Sequence, residues 1–392
     1  MSSRTAVSKP YILYAWPLSL YSGKVRAYLR YKGISFVEKP IRAWTFRTIE
    51  RKTGANVMPV LVTPEGEWLQ DSSAIMDRLE QRFPQAPVLP ATPRQRVAAY
   101  VLEAWGDEYW LPAAMHYRWN FRENFERLFR QEAGDLLAPL APRFVKDRLA
   151  DGIAAKLRGF LPGLGVVSAQ INTIEAWTEG MLDRFDAHFE QQPYLLGTRP
   201  SYGDFGLVGP LFAHLGRDPY PRRTLIEPRR HLAAWVARMQ QPERPRSGEF
   251  LSGDRIPPTL APVFEAIFTE FWPSLAAIQD EVRRALPTLR NGRGFRRSLG
   301  EIEFPMGARR YRRLATPYSL WMAQRALDAY RGLAPAQQLS VDAWLATVSG
   351  AKAMQLAIEP RLTRMALRVA PEASSYPLPL AGEGGAQRRE RA

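Results

Sequence analysis

The sequence of 392 residues contains no cysteine. Disulfides, thiolate metal sites and cysteine nucleophiles are therefore excluded together, since each of them needs a thiol of the chain itself. Histidine is also scarce: there are four, and no two have the spacing of a zinc motif, so we expect no metal site. Any thiol chemistry of this protein must use a thiol that another molecule supplies.

Long apolar runs are absent as well. None approaches the roughly 18 residues of a membrane-spanning helix, and the first ten residues, MSSRTAVSKP, lack the apolar core of a signal peptide. These features predict a cytoplasmic protein. A hydrophobic fraction of 46% is sufficient for a packed core, and the length indicates two or three domains.

The formal net charge is +15, and the excess is spread over the chain. Residues 1–90 hold 13 basic and 7 acidic side chains, and residues 246–392 hold 21 and 14. The densest clusters lie at 290–297 and 308–314, without a recognisable nucleic-acid-binding module beside them. We interpret them as a solvated arginine-rich surface and expect no specific nucleic-acid partner.

The first 87 residues alternate strand and helix signals. Strand patterns at 11–15 and 35–40 flank a helical pattern at 22–32. After a connector, the segments at 59–63 and 66–70 predict a hairpin, and the apolar spacing within 72–83 predicts a helix. This order predicts a thioredoxin-like α/β domain over residues 1–87.

Residues 92–245 predict an all-helical domain, with periodic stretches at 94–130, 142–160, 169–191 and 231–239. Thr92 precedes a proline at a first helical position, and Ser201 and Asp204 have the spacing of a helix cap.

Residues 246–372 predict a mainly helical extension. Its helical stretches lie at 257–286, interrupted near Pro273, at 317–333 and at 340–356, and a β-hairpin is expected around Gly307. Residues 373–392 are rich in proline, glycine and charge and predict a disordered tail.

Three short segments of the first domain carry residues that could form a site. At the first strand-to-helix corner, hydroxyls cluster at Ser19, Tyr21 and Ser22. In the second segment, Pro59 opens a strand, which suits either an edge strand or a cis turn. The pair Asp71–Ser72 precedes a helix, where it either caps the helix or helps bind a carboxylate at free backbone N–H groups.

The sequence resembles the cytosolic glutathione transferases over roughly residues 10–245. The segments WPLSLYSGKVRAYLRYKGI, VMPVLV and LQDSSAIMDRLE resemble the N-terminal domain of that family, and RPSYGDFGLVGPL resembles the helix-capping motif of its helical domain. The extension resembles one found in a bacterial subgroup of glutathione-transferase-like proteins. The resemblance implies the serine type of the family and a homodimer.

The resemblance also implies that glutathione is the co-substrate, bound by Met58, Pro59, Asp71, Ser72, Asn56 and Lys52. Met58 would pair through its backbone with the cysteinyl part, next to a cis Pro59. Asp71 and Ser72 would bind the γ-glutamyl end, where Asp71 is shorter than the more usual Glu or Gln. Lys52 or Asn56 would hold the glycyl carboxylate.

Ser19 matches the catalytic serine of the serine-type members, and Ser22, Tyr14 and Tyr21 are the competing hydroxyls. Lowering a thiol pKa from about 8.5 by two units needs about 2.7 kcal/mol. A hydrogen bond to a charged acceptor contributes roughly 1.5–3 kcal/mol, and a helix N-terminus roughly 0.3–1 kcal/mol. A hydroxyl at this corner therefore suffices without a general base.

The segment VLEAWGDEYWLPAAMHYRWNF carries aromatic residues at helical spacing. Such a stripe is mostly core, but we expect Tyr109, Trp110 and Tyr117 to supply residues of an apolar electrophile pocket. Asp107 is open to two interpretations, a contact to glutathione or a surface salt bridge.

The sequence thus predicts a detoxifying glutathione transferase that conjugates the glutathione thiolate to hydrophobic electrophiles. Two alternatives stay open: a non-enzymatic binding or interaction protein built on the same fold, and a glutathione-dependent peroxidase.

Overall fold

The computed structural model describes residues 9–241, 248–290 and 293–372. Its first part is a four-stranded sheet with strand order β2-β1-β3-β4, in which β1 and β2 are parallel and the other neighbours antiparallel. The elements are β1 (Tyr11–Ala15), α1 (Leu20–Lys32), β2 (Phe36–Pro40), α2 (Ala43–Thr53), β3 (Val60–Val62), β4 (Trp68–Gln70) and α3 (Ser72–Arg82). The predicted thioredoxin-like order is confirmed, and the predicted connector contains the helix α2.

The second part is helical. Its helices are α4 (Pro93–Glu108), α5 (Leu111–Asn120), α6 (Arg122–Asn124), α7 (Arg130–Leu137), α8 (Arg143–Arg158), α9 (Ile171–Gln191), α10 (Tyr202–Pro210), α11 (Pro219–Pro221) and α12 (Arg230–Gln240), with π-helical segments at Phe125–Phe129, Leu211–Gly216 and Arg222–Ile226. A continuous helical stretch over 94–130 is wrong, because α4 ends before Tyr109 and α5 starts anew with Pro112 in its first turn.

The predicted cap at Ser201 and Asp204 is confirmed. One Asp204 carboxylate oxygen accepts hydrogen bonds from the Ser201 backbone N–H at 2.8 Å and from its hydroxyl at 2.9 Å. The other accepts from the Leu195 N–H at 3.1 Å and from the Trp235 indole at 3.0 Å. Since Trp235 belongs to α12, this one buried carboxylate starts α10 and ties it to α12.

The extension contains α13 (Ala261–Ala266), α14 (Trp272–Ala285), β5 (Glu301–Met306), β6 (Arg309–Leu314), α15 (Pro317–Arg331), α16 (Pro335–Ala346), β7 (Leu362–Met365) and β8 (Arg368–Pro371). The hairpin around Gly307 is confirmed, and a π-helical segment, Ile267–Phe271, precedes Pro273. A helix over 340–356 is wrong, since α16 starts earlier and ends at Ala346. The β7–β8 hairpin was not predicted, because its turn at Ala366 has a positive φ without glycine or asparagine.

The predicted disordered tail, 373–392, lies outside the described residues. No helix in the described part of the chain is both long and apolar enough to cross a bilayer. The same residues contain no cluster of three or more histidine or acidic side chains placed to hold a metal ion.

The extension packs along α4 and supplies its N-terminal cap. Thr92 occupies the predicted cap position before Pro93, but its side chain makes no capping bond. Instead, the Asp254 carboxylate accepts from the backbone N–H groups of Arg94 at 2.9 Å and Gln95 at 3.0 Å. The acidic group also lies at the positive end of the helix dipole, so the first helix of the helical part begins on a residue of the extension.

A buried histidine joins α9 to the extension. His188 is 0% exposed; its Nε2 lies 3.2 Å from the carbonyl oxygen of Tyr194, and its Nδ1 lies 2.7 Å from the Thr259 hydroxyl. Because a carbonyl only accepts, Nε2 carries the proton and Nδ1 accepts from Thr259. Burial lowers the pKa of His188 to about 4.

This histidine predicts a loss of stability in mild acid. Unfolding returns its pKa to about 6.5, so the unfolded chain binds a proton that the folded chain excludes. The contribution is fully present above pH 6.5 and is lost as the pH falls towards 4. By pH 5 the free energy of unfolding should fall by about 2 kcal/mol more in the wild type than in His188→Gln. Urea unfolding at pH 7.5 and pH 5 measures it, and parallel losses in both proteins would contradict it.

Candidate functional site

Three polar segments of the first domain meet at one end of its sheet. The register aligns Tyr14 of β1 with Val60 of β3, and Val60 with Gln70 of β4. Because these pairs are antiparallel, the end of β1, the start of β3 and the end of β4 lie side by side. Ser19 follows the end of β1, Met58–Pro59 precedes the start of β3, and Asp71–Ser72 follows the end of β4. We call these five residues the strand-end corner.

Ser19 is the N-cap of α1. Its backbone is extended, and its hydroxyl accepts the backbone N–H of Ser22 at 3.3 Å. The side chain is half-buried, so it remains accessible at the positive end of the helix. In this position a hydroxyl can donate its own proton outward to an anion while the helix supplies further N–H groups.

Two of the competing hydroxyls are less accessible or already engaged. Ser22 is 0% exposed. Tyr21 donates to the backbone oxygen of Asp107 at 3.1 Å, and burial raises the pKa of its phenol well above the ordinary value. Tyr14 is half-buried like Ser19, and its ring stacks on Trp68 with centroids 5.6 Å apart. This geometry favours Ser19 over Ser22 and Tyr21.

The Met58–Pro59 peptide bond is cis, as the resemblance implies. Pro59 is buried immediately before β3, and Met58 is half-buried. Asn56 and Lys52 lie upstream, Lys52 in the last turn of α2, and both side chains are exposed. The structure therefore places Met58 at the corner itself, whereas the Asn56 and Lys52 side chains lie on the protein surface.

Asp71 caps α3 from an unusual backbone conformation. Its φ is 86°, and its Oδ1 accepts the Ala74 N–H at 2.9 Å. A residue other than glycine in this region costs of order 1–3 kcal/mol unless its surroundings hold it there. Ser72 follows as the first residue of the helix and is 5% exposed. The capping interpretation of Asp71 is thus correct, and one carboxylate oxygen stays turned away from the cap.

The extension reaches that second oxygen. Tyr318, near the start of α15, donates its phenolic proton to Oδ2 of Asp71. Burial and the Asp71 charge raise the pKa of the phenol, so it is protonated and able to donate. Beside it, the Arg364 guanidinium of β7 donates to the Gln70 side-chain oxygen at 2.5 Å. The strand-end corner is therefore bordered on one side by residues of the extension.

A buried ionic network lies behind the corner. The Lys24 ammonium, 0% exposed, contacts Glu103 at 2.7 Å, Asp107 at 2.5 Å and the Ser73 hydroxyl at 2.9 Å. Burial lowers the pKa of Lys24, but the Asp107 and Glu103 carboxylates outweigh it and the net shift is upward. Burial raises the pKa of Asp107 to about 7. Asp107 is thus a core residue, which corrects both interpretations, a contact to glutathione and a surface salt bridge.

The extension completes this network. Arg325 of α15 contacts the second carboxylate oxygen of Glu103 at 2.5 Å and Asp77 of α3 at 2.7 Å. Asp77 also accepts from the Tyr202 hydroxyl at 2.9 Å. Glu103 therefore lies between a lysine of the first domain and an arginine of the extension, and the three parts of the chain share one set of paired charges.

The three aromatic residues expected to line an electrophile pocket lie in the core. Tyr109, Trp110 and Tyr117 are 1%, 0% and 2% exposed. Tyr109 packs edge-on against Phe271 and is tilted against Phe304, both from the extension. Trp110 packs against Trp177, and Tyr117 stacks on Phe121, both within the helical part. This corrects the expectation of an open pocket at these rings, since the extension covers Tyr109 and the helical part itself buries the other two.

Two arginines of the cluster at 308–314 share one carboxylate. Arg310 and Arg312 both contact Glu303 on the neighbouring strand, at 2.9 and 2.5 Å. Arg313 points inward and is 2% exposed. Alternate residues of β6 therefore divide between a cross-strand ion pair and the core.

Tyr318, Arg325 and Lys24 were not predicted as site residues. Lys24 lies within a segment that resembles the family motif, but its type alone reads as a surface residue. Tyr318 and Arg325 are separated from their partners by 247 and 248 positions. No local pattern carries such a pairing.

Two segments of the chain, one in the first domain and one in the helical part, match known family models. Residues 13–87 match the family model described as glutathione S-transferase, N-terminal domain, and residues 178–238 match glutathione S-transferase, C-terminal domain. A glutathione S-transferase of Triticum aestivum is 36% identical over 86 residues, 22% of this chain. The match spans 39% of that relative's length.

Solved structures are similar to about three fifths of the chain. A glutathione S-transferase from Rhodospirillum rubrum F11 is 19% identical with a TM-score of 0.38, covering 63% of this chain and 96% of its own. FzlA from C. crescentus is 19% identical with a TM-score of 0.38, covering 63% and 98%. A glutathione S-transferase from Methylobacterium radiotolerans, in complex with glutathione sulfonate, is 21% identical with a TM-score of 0.37, covering 61% and 92%.

Proposed function

The chain belongs to the glutathione S-transferase family, and on that premise we propose that it binds glutathione at the strand-end corner and transfers the thiolate sulfur to a hydrophobic electrophile. The observation that carries the proposal is the meeting of Ser19, Met58–Pro59 and Asp71–Ser72 at one end of the sheet. Helix N-termini at Ser19 and Asp71 supply positive potential there, which suits a thiolate and a carboxylate.

Each residue of the corner has a chemical role in this proposal. The Ser19 hydroxyl donates to the thiolate and holds its proton affinity down. The backbone of Met58 pairs with the extended peptide in the manner of an added strand. Asp71 accepts from the γ-glutamyl amine, and Ser72 with the start of α3 binds the γ-glutamyl carboxylate. The thiolate then attacks the electrophilic carbon, and the leaving group departs with the bonding electron pair.

A second candidate function is glutathione binding without transfer. It is favoured by the extension, which buries Tyr109 and places the Tyr318 hydroxyl on Asp71. In that case the fold serves as a binding or interaction module. A homodimer and a role in detoxification stay predictions from the resemblance, and a cytoplasmic location stays a prediction from the sequence.

Calorimetric titration of glutathione into the wild type and Asp71→Asn tests the binding. The asparagine oxygen can still cap α3, but the charge that faces the amine is lost. We expect glutathione affinity to fall about tenfold to a hundredfold, because a charged hydrogen bond is removed. Asp186→Asn is the matched control: Asp186 caps α12 through the N–H groups of His231 and Leu232 at 2.8 and 2.9 Å. Its replacement should leave the affinity unchanged.

The outcomes separate the candidates. A wild-type protein that binds no glutathione at millimolar concentration would reject both. Equal affinity in Asp71→Asn and wild type would remove Asp71 from the site. Binding together with conjugation of an aryl halide supports transfer, whereas binding without conjugation supports the module.

A further inference from the structure

A cavity lies between the helical part and the extension, away from the strand-end corner. It has a volume of about 480 Å³, within the range of small-molecule sites. Its walls come from the start of α4, the end of α9, the segment around Leu251 to Thr259, and α16. No residue of the strand-end corner lines it.

Two guanidinium groups line this cavity without an acidic partner. Arg94 donates from Nε to the Ser340 backbone oxygen at 2.9 Å and to its hydroxyl at 3.0 Å. Arg255 donates from Nε to the Ser252 backbone oxygen at 3.0 Å and from Nη2 to the Ser252 hydroxyl at 3.4 Å. Among the described residues, neither arginine has a carboxylate within ion-pair distance. Arg94 is thus held at Nε, and Arg255 at Nε and one terminal nitrogen, while other terminal N–H groups of both remain for a ligand.

The cavity has no negative charge of its own. Among the described lining residues none is acidic. The nearest acid in sequence, Asp254, spends both carboxylate oxygens on the backbone N–H groups of Arg94 and Gln95. The remaining wall is uncharged: Leu251, Ile256 and the Trp344 ring supply apolar surface, and two glutamines and two threonines supply polar groups, namely Gln191, Gln192, Thr259 and Thr347.

We propose that this cavity binds a small anion with a flat apolar body, of the class of aromatic carboxylates. The carboxylate would contact the terminal N–H groups of Arg94 and Arg255, since a planar guanidinium matches a carboxylate in geometry. The ring would lie against Trp344 and the neighbouring aliphatic side chains. Because two arginines from different parts of the chain hold one ligand, binding would also fasten the extension to the helical part. This inference does not depend on the proposed transferase activity.

The test is equilibrium binding of 2-naphthoate, with 2-naphthamide as its uncharged analogue. We expect 2-naphthoate to bind at least tenfold more tightly than the amide and about tenfold less tightly to Arg255→Met than to wild type. Arg331→Met is the matched control, because Arg331 is also an exposed arginine that donates to a backbone carbonyl, that of Leu356 at 3.0 Å. It should bind as the wild type does.

Several results would overturn the proposal. No binding of 2-naphthoate at millimolar concentration, or equal affinity for wild type and Arg255→Met, would show that these arginines hold no anion. Displacement of 2-naphthoate by saturating glutathione would place it at the strand-end corner instead. Unchanged circular dichroism and urea midpoint of Arg255→Met confirm that a loss of binding is local, and Arg255→Lys should recover part of the affinity.

Discussion

Replacing Ser19 by alanine should raise the thiol pKa of bound glutathione by about one to two units and slow conjugation at pH 7 about tenfold to a hundredfold. The reason is the loss of one hydrogen bond to a charged sulfur, worth roughly 1.5–3 kcal/mol, while the helix dipole remains. Titrating the ultraviolet absorbance of the bound thiolate against pH measures the shift directly.

Two serine variants serve as comparisons. Ser22→Ala should leave the thiol pKa unchanged, because Ser22 is fully buried beneath the corner. Ser35→Ala changes an exposed serine at the start of β2 and controls for the substitution itself. If the pKa of the bound thiol stayed the same in Ser19→Ala but rose in Ser22→Ala, the role would belong to Ser22 and Ser19 would be rejected.

Replacing Lys24 by methionine should lower the free energy of unfolding by about 3–5 kcal/mol. The ammonium is 0% exposed and contacts both Glu103 and Asp107, so its removal leaves Asp107 buried without this cation and Glu103 with Arg325 alone. Methionine keeps the length of the side chain, which limits the contribution of a cavity. Urea unfolding at pH 7.5 gives the value.

A lysine whose carboxylate partner is solvent-exposed provides the matched control. Lys146 contacts Asp135 at 2.9 Å, and that carboxylate is 48% exposed. Lys146→Met should therefore change the free energy of unfolding by no more than about 1 kcal/mol. Similar losses in both variants would mean that the Lys24 network does not stabilise the fold beyond an ordinary ion pair.

The local backbone structure of the corner is predictable from the sequence because its determinants are neighbouring residues. A strand followed by a capped helix needs only neighbouring residues, as Ser19 and Asp71 show, and a parallel or antiparallel order then brings their ends together. The cap of α10 at Asp204 was predictable for the same reason. These features depend on residues within a few positions of each other.

The surroundings of the corner were not predictable in this way. The aromatic spacing at Tyr109 and Trp110 is the same whether the rings face a pocket or the core. Residues distant in sequence decide between the two, Phe271 for Tyr109 and Trp177 for Trp110. The contacts of Tyr318 and Arg325 join positions nearly 250 residues apart. A single sequence shows which residue types are present, but it does not show which of them are in contact across so long a separation.

The shared charges of Arg325, Glu103 and Asp77 bear on how the chain unfolds. Without residues 246–372, Asp77 would lose its arginine, Glu103 would keep Lys24 alone, and α4 would lose its Asp254 cap. The first domain, the helical part and the extension should therefore unfold together as one cooperative unit.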